Sequence, residues 1–360
     1  MRGDAKEQLW ALTPFTPESF VPPDHPIRSL RSLADLALAQ LAPTFEAMYE
    51  PIGRPSIAPE RLLKAMLLMA FYSVRSERQL CERLHYDMLF KFFVGLQMAD
   101  EVFDHSTFSK NRQRLLEHDV SRKFFLAIRE QARRQNLLSV EHFTVDGTLL
   151  EAWASMKSVR PRDEAGGPPE GGGRNPAVNF RGQKRSNETH VSSTDPEARM
   201  AKKATGQAAR LSYAGHVLME NRNGLVVDVE LTQATGHAER EAALRMLDRQ
   251  ARGRRRLTLG ADRGYDTQDF VAGLRARRVT PHVAQYEGRR SAIDRRTAGR
   301  RGYERSQRVR KRVEEIFGWW KTIAGGRKLR FIGLARNRLW AELTASAYNL
   351  VRLVRLVPAS

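Results

Sequence analysis

Two short apolar stretches that each end in an aspartate constrain the fold of this chain most strongly. HFTVD (142–146) ends in Asp146, and RRLTLGAD (255–262) ends in Asp262. Between them, two β-rich runs flank the turn NRNG at residues 221–224, and Asn-Gly is a strong hairpin signal. The order of strand, hairpin, helix, strand and helix predicts an α/β fold with a mixed sheet flanked by helices. Such sheets commonly place functional sites at strand ends.

Residues 1–138 have a different, all-helical pattern. A helix begins at the Ala-Pro-Glu of residues 58–60, and Ser106 is a plausible N-cap for the helix TFSKNRQRLLEH. Short helices followed by one with basic and amide side chains fit a helix-turn-helix-like DNA-binding domain, although a helical bundle with a solvated face fits as well. The expected polar face comprises Lys110, Asn111, Arg112 and Arg114.

The catalytic part is expected at residues 139–360, with an interruption. Residues 157–205 are rich in Gly, Pro, Ser, Lys and Arg, most clearly in GGPPEGGGRNP. A segment of this composition cannot bury a core, so we expect a flexible basic insertion between the first and second acidic strands.

Positive charge is concentrated in the second half of the chain. Residues 1–150 carry 19 basic and 19 acidic residues, so the whole excess of +20 lies in residues 151–360. A concentrated field of this kind favours a polyanionic partner, and we expect nucleic acid rather than a merely Arg-rich composition. The run 289–312 is expected to track the DNA backbone through Arg295, Arg296, Arg300 and Arg301.

Other features exclude several classes of protein. The single Cys81 rules out an internal disulfide framework and a cysteine-based zinc site. Residues 1–10 are polar rather than a signal pattern, and Lys64 interrupts the longest apolar run. We therefore expect a cytoplasmic protein without a membrane partner.

Three carboxylates far apart in sequence can converge in such a fold: Asp146, Asp262 and Glu314, the last on the helix SQRVRKRVEEIFGWWK (306–321). Carboxylate oxygens suit Mg²⁺, and two such ions about 3.5–4 Å apart can activate an attacking oxygen and stabilise a leaving one. An aspartate at a strand end can also simply cap a turn, so these residues alone do not decide the function.

Longer motifs around these acids resemble a known family. TVDGTLLEAWAS, LGADRGYD and the R-x3-E-x6-K helix pattern of Arg310, Glu314 and Lys321 resemble the DDE transposases of bacterial insertion sequences, in the family's order and spacing. The stretch from FTPESF to DHSTFSKNRQRLL resembles the family's N-terminal domain. Where the family has a tyrosine three residues before the arginine, this chain has Gln307.

The resemblance implies an RNase-H-like catalytic domain, with Asp146, Asp262 and Glu314 as ligands of two Mg²⁺ ions, for which Mn²⁺ is expected to substitute. Arg310 and Lys321, with Gln307 beside them, would contact DNA near the cut. The implied partners are the inverted repeats at the ends of a mobile element and its target DNA. A homodimer or larger assembly on paired ends, associated with a prokaryotic nucleoid, would follow.

Two alternatives remain at this point. A decayed or domesticated copy would bind element ends as a non-catalytic repressor, and a nuclease of the same fold would cut without strand transfer. On an uninterrupted helix at about 100° per residue, Glu314 shares a narrow strip with Arg310 and Lys321, whereas Glu315 lies on the solvated face. This geometry assigns catalysis to Glu314 and charge compensation to Glu315.

Overall fold

The computed structural model describes residues 15–50, 52–53, 56–162, 185–204, 206–250, 256–286, 288 and 290–357. Within these residues the chain forms a helical N-terminal region followed by a mixed sheet with helices on both faces. None of the described helices has both the length and the apolar character of a membrane-crossing span.

In the N-terminal region the described residues form eight helices. Several begin at a proline, which fits a first helical turn because its missing N–H needs no partner there. The helices are α1 (Pro17–Phe20), α2 (Pro26–Ala39), α3 (Ala42–Ala47), α4 (Pro59–Phe71), α5 (Glu77–Tyr86), α6 (Met88–Val94), α7 (Ser106–Glu117) and α8 (Val120–Arg134).

Eight strands follow in the described part of the chain, and six of them form the main sheet. They are β1 (His142–Glu151), β2 (Val159–Pro161), β3 (His190–Ser192), β4 (Arg199–Ala201), β5 (Arg210–Glu220), β6 (Val226–Gln233), β7 (Leu257–Ala261) and β8 (Val279–Val283). The order is β4-β5-β1-β7-β8, with β6 also paired to β5, and a separate pair joins β2 to β3. β1, β7 and β8 are parallel, whereas β5 is antiparallel to β1.

From α9 onward, the residues that the structure describes form six α-helices. They are α9 (Ala238–Asp248), α10 (Gln268–Ala276), α11 (Arg295–Ala298), α12 (Arg301–Val309), α13 (Val313–Thr322) and α14 (Leu334–Leu356). The stretch 306–321, predicted as one α-helix, is interrupted by a 3₁₀ turn at Arg310–Arg312. Because a 3₁₀ turn has 3.0 residues per turn, it changes which side chains share a face.

The two faces of the sheet have separate cores. Phe143 and Val145 of β1 pack on one face with side chains of α9 and α10. The other face packs against α13 and α14. That second core continues without a break into the N-terminal helices, because α14 also contacts α2, α4 and α8. The helical region and the sheet are therefore joined by shared apolar packing at the boundary predicted near residue 138.

Part of the predicted flexible insertion, residues 185–204, has regular structure. Residues 163–184 lie outside the described part of the chain, but residues 185–204 form β3 and β4. The Asp195 carboxylate is fully buried and accepts a hydrogen bond of 2.7 Å from the Tyr213 hydroxyl on β5. A polar segment can thus be fixed by strand pairing and buried hydrogen bonds, which composition alone does not reveal.

The fold class predicted from the sequence is confirmed. A mixed α/β sheet of the RNase-H-like type, flanked by helices, follows an all-helical N-terminal region.

Candidate active site

Strand alternation directs Asp146 toward the C-terminal helices. Successive side chains of a strand point to opposite faces, and Phe143 and Val145 face α9 and α10. Asp146 therefore shares the opposite face with Thr144 and Thr148. One oxygen of the Asp146 carboxylate accepts a hydrogen bond of 2.8 Å from the Gly147 N–H.

Asp262 lies beside Asp146 because the two strands are parallel neighbours in register. Thr144 of β1 pairs with Gly260 of β7, and each aspartate follows two residues later. Asp262 caps the short 3₁₀ turn Arg263–Tyr265, accepting a hydrogen bond of 2.8 Å from the Gly264 N–H. The two predicted acids therefore lie side by side, although only Asp262 ends its strand: β1 continues past Asp146 to Glu151, because it pairs with β5 over that length.

The surroundings of Asp146 favour its protonated form. Burial, followed by the neighbouring charges of Asp262 and Glu239, raises the pKa of Asp146 to about 7. The Gly147 N–H and the Arg310 charge oppose this rise without cancelling it. A cation bound beside Asp146 would instead favour the ionised carboxylate.

Glu239, in the first turn of α9, is a carboxylate that the sequence analysis missed. A Cβ atom on Gly147 would come within 2.9 Å of the Glu239 Oε1 atom, so this carboxylate lies directly against β1 beside Asp146. Partial burial and the charge of Asp262 raise the pKa of Glu239. In the sequence Glu239 is one of several acids in a helical stretch, so no local signal distinguishes it.

Tyr265 lies close to these acids in the protein interior. Its side chain is fully buried, and its hydroxyl has no hydrogen-bond partner among the described residues. Burial, then the charges of Glu239, Asp146 and Asp262, raise its pKa, so the hydroxyl stays protonated beside the carboxylates.

Arg310 lies at the end of the site nearest the start of β1. A Cβ atom on Gly260 would lie 3.5 Å from the Arg310 Cβ and 3.2 Å from the Thr144 Oγ1 atom. Gln307 accepts a hydrogen bond of 3.0 Å from Arg310 Nε and donates one to the backbone oxygen of His282. Both ends of the Gln307 amide thus have protein partners, and its oxygen holds the Arg310 guanidinium in place; a DNA contact of Gln307 stays a prediction.

Lys321 lies at the other end of the site. Its ammonium group donates a hydrogen bond to the Thr148 Oγ1 atom. Burial and the charges of Lys203 and Arg327 lower the pKa of Lys321, whereas Asp146 raises it. Arg310 and Lys321 therefore flank the Asp146 carboxylate along β1.

Glu314 lies on the helical segment between these two cations, but it is exposed. The three residues of the 3₁₀ turn advance by about 120° each instead of 100°, which rotates Glu314 by roughly 60° from the position expected on an uninterrupted helix. The surroundings of Glu315 also differ from the prediction, which placed it only among the cations of its own helix. Glu315 accepts a hydrogen bond of 2.9 Å from Arg352 on α14.

The acids do not form a closed metal cage. In the described part of the chain, no three His, Cys, Asp or Glu side chains are grouped closely enough to hold a metal ion. Asp146, Asp262 and Glu314 therefore do not all converge. The donor set still fits Mg²⁺, which commonly takes one or two carboxylates together with waters and substrate phosphates.

A cleft of about 650 Å³ opens beside Gly147 and Thr148, which follow Asp146 on β1, and is called the catalytic cleft below. Glu239 lines one part of it, and Lys203 and Lys321 line another. The cleft therefore combines the Glu239 carboxylate with ammonium groups, and ammonium groups bind phosphate oxygens.

The predicted recognition face on α7 is not a single exposed face. Asn111 is buried and donates to the backbone oxygen of Thr107. Arg112 forms an ion pair with Glu77 and stacks on the Phe331 ring, 4.3 Å from its centroid. The reason is geometric, since four positions at 100° intervals span more than one side of a helix. Only Lys110 and Arg114 of the predicted set are exposed.

The predicted backbone-tracking arginines are exposed. They lie on or next to two short helices, α11 and α12, on the C-terminal side of β8. The four are Arg295, Arg296, Arg300 and Arg301.

Comparison with known proteins gives two family matches. A family described as "Transposase domain (DUF772)" matches residues 15–114, and a family described as "Transposase DDE domain" matches residues 183–350. The second match includes Asp262 and Glu314 but begins after Asp146.

No curated protein matches the chain at a significant level. Among solved structures, the cryo-EM structure of a piggyBac transposase synaptic complex with hairpin DNA is similar over 91% of this chain and 75% of that chain. The sequence identity is 10% and the TM-score is 0.40.

The two transposase matches together cover most of the chain and agree with its mixed sheet and with the neighbouring aspartates of β1 and β7. The chain belongs to the DDE transposases of the insertion-sequence type.

Proposed function

We propose that this transposase binds the terminal inverted repeats of a mobile element and catalyses metal-dependent phosphodiester cleavage and strand transfer. The observation that carries the proposal is the position of Asp146, within β1, beside Asp262, which directly follows the adjacent parallel strand β7, between Arg310 and Lys321. This arrangement places hard oxygen ligands for a metal beside cations for a phosphate.

We assign Asp146, Asp262 and Glu314 as the metal-binding residues. When bound, Mg²⁺ ions would activate the attacking oxygen and stabilise the leaving one, and Mn²⁺ would serve as a substitute. Asp146 and Asp262 already lie together. Glu314 lies on the segment that crosses β1 between Arg310 and Lys321, and it is the acid of the R-x3-E-x6-K pattern.

The cations hold the scissile phosphate in this proposal. Arg310 presents a guanidinium group fixed by Gln307, and guanidinium groups bind phosphate oxygens through paired hydrogen bonds. Lys321 presents a point charge at the other end of the cleft. Together they orient the phosphodiester along β1 and over Asp146.

We further propose that the helical region, residues 1–138, helps bind DNA ends and that residues 139–360 form the catalytic domain. Since two ends must be cut and joined together, the active assembly is a homodimer or a larger oligomer on double-stranded DNA. Of the residues predicted on α7, Lys110 and Arg114 remain exposed for DNA.

A plasmid assay tests the proposal. The inverted repeats are identified in the DNA flanking the reading frame and placed on a supercoiled plasmid, which is incubated with the protein and Mg²⁺. Cleavage and joining by the wild type, with loss of both in Asp146→Asn and Asp262→Asn, are expected.

Two outcomes would replace the proposal with an alternative. Specific binding of the ends without cleavage under any divalent metal would indicate a repressor. Cleavage without joined products would indicate a nuclease of the same fold.

A further inference from the structure

Three cations from separate parts of the chain meet beside the catalytic cleft. Lys203 follows β4, Lys321 lies on α13, and Arg327 follows α13; they are called the cation cluster below. Lys203 and Lys321 line both the catalytic cleft and an adjoining cleft of about 430 Å³, which Arg327 also lines. The two clefts therefore form one groove with the cation cluster at their junction.

The position of Lys203 is fixed by the strand before it. β4 pairs with β5 through Arg199, Met200 and Ala201. The Asn187 amide also clamps the backbone of Met200, donating to its oxygen at 3.0 Å and accepting from its N–H at 2.8 Å. Lys203 thus extends from an anchored strand, although it belongs to the segment with a linker-like composition.

The position of Arg327 is fixed by the far end of β1. The Arg327 backbone oxygen accepts a hydrogen bond of 3.3 Å from the Glu151 N–H, and the Glu151 oxygen accepts one of 2.7 Å from Leu329. These bonds hold the connection between α13 and α14 against the strand that carries Asp146.

The charges of the cation cluster are available to a ligand. Glu151, the acid that lines the adjoining cleft, is already paired with Arg210 at 2.7 Å. Within the described part of the chain, neither Lys203 nor Arg327 forms an ion pair with a carboxylate. Both side chains are exposed, so an anion in the groove can reach them.

We propose that the cation cluster binds phosphates of the DNA strand that occupies the catalytic cleft, so that β4 and Lys203 after it form one wall of the path of that strand. The inference rests on the proposed function, which places a phosphodiester at Asp146. A cleft of about 650 Å³ falls in the size range of small-ligand pockets, so it accepts a short stretch of one strand rather than a duplex.

Salt-dependent binding of a single strand tests this inference without needing the cognate ends or a metal. A fluorescein-labelled oligothymidylate is titrated with protein in EDTA over a range of NaCl concentrations, and binding is followed by anisotropy. Each lost phosphate contact should reduce the slope of log K against log [NaCl] by about 0.7. Lys203→Gln and Arg327→Gln should each show this reduction, and Lys203→Arg should restore the wild-type slope.

Lys123→Gln is the matched control, because Lys123 is an exposed lysine on α8 outside the groove. Its slope should equal that of the wild type. Equal slopes for Lys203→Gln and Lys123→Gln would overturn the inference, as would failure of the wild type to bind the oligonucleotide.

The two proposals fail separately. If the wild type cleaves the plasmid but Lys203→Gln keeps its salt slope, only the path of the strand is wrong. If the slope falls as expected but the wild type never cleaves, the cation cluster binds a strand and the catalytic proposal is wrong.

Discussion

Glu314 and Glu315 are adjacent in sequence but have different surroundings. Glu314 is on the segment that passes between Arg310 and Lys321, whose side chains lie along β1 on either side of Asp146. Glu315 instead pairs with Arg352 on α14. The structure thus separates a carboxylate near the proposed site from one that ties two helices together.

Glu314→Gln is expected to abolish Mg²⁺-dependent cleavage while leaving DNA binding nearly unchanged. Mutating a residue that hydrogen-bonds a metal ligand typically lowers activity by about 10–100-fold, so replacing the ligand itself should lower activity by more than about 100-fold. Glu315→Gln should retain most activity, because its exposed ion pair is worth less than about 1 kcal/mol. Rates on the cognate plasmid and binding of end DNA measure both. Equal loss of activity in the two variants would show that Glu314 is not one of the metal-binding residues.

Glu342 on α14 is expected to make stability depend on pH. Burial raises its pKa from the usual 4.5 to about 7, although the Ser121 hydroxyl donates a hydrogen bond of 2.6 Å to it. Since the folded state holds this proton more tightly, the stabilising contribution is full below about pH 4.5 and is lost as pH rises through about 7.

Chemical unfolding of wild type and Glu342→Gln at several pH values measures this effect. The free energy of unfolding of the wild type, relative to the variant, should fall by a few kcal/mol between about pH 5 and pH 8. Glu315→Gln, a half-exposed position, serves as the control and should follow the wild type. Parallel curves for wild type and Glu342→Gln would contradict the assignment.

At the scale of elements, the sequence predicts the presence of a strand or helix better than the direction in which its side chains point. The strand at 142–146, the Asn-Gly hairpin and the strand ending before Asp262 are all present, because local apolar patterns and turn chemistry determine them. The convergence of the two aspartates also follows from parallel strands. What could not be predicted depends on distant partners or local helix geometry, including Glu239 against Gly147 and the 3₁₀ turn before Glu314.

Helix α7 shows the same limit for a predicted binding face. The partners of Arg112 are Glu77 on α5 and Phe331 before α14, both far away in sequence. Nothing within the helix distinguishes Arg112 from the exposed Lys110. The tertiary contacts therefore assign Arg112 to packing between elements.

Arg112→Ala is accordingly expected to lower the free energy of unfolding by about 1–3 kcal/mol, since it leaves the largely buried Glu77 without its cation. Lys110→Ala, at an exposed position, should change it by less than about 0.5 kcal/mol. Chemical denaturation measures both, with discrimination between terminal-repeat and random duplexes compared at a temperature where all variants are folded. A stable Arg112→Ala that loses discrimination would return this residue to the recognition role.

At the scale of the whole molecule, apolar packing and charge divide the chain differently. The core beneath α14 joins the helical region to the sheet, so the two predicted domains are packed together. The charge instead separates them, because the whole excess of +20 lies after residue 150. A transposase built in this way can hold its helical region rigidly against a catalytic region whose field attracts DNA.

This field should appear as a steep salt dependence of duplex binding that is independent of sequence, with the arginines around α11 and α12 as contributors. Each phosphate contact accounts for about 0.9 of the slope of log K against log [salt] on duplex DNA. Replacing Arg300 and Arg301 by glutamine should therefore flatten the slope by up to about twice that amount, and replacing the pair Arg295–Arg296 should have the same effect.

The matched control is the adjacent pair Arg133–Arg134, which is similarly exposed but already bound to Glu130 on α8. Anisotropy titrations on random duplex DNA measure all three double variants. An equal change in all three would mean that only net charge matters, and an unchanged slope at both predicted pairs would make them solvated surface without a role in DNA binding.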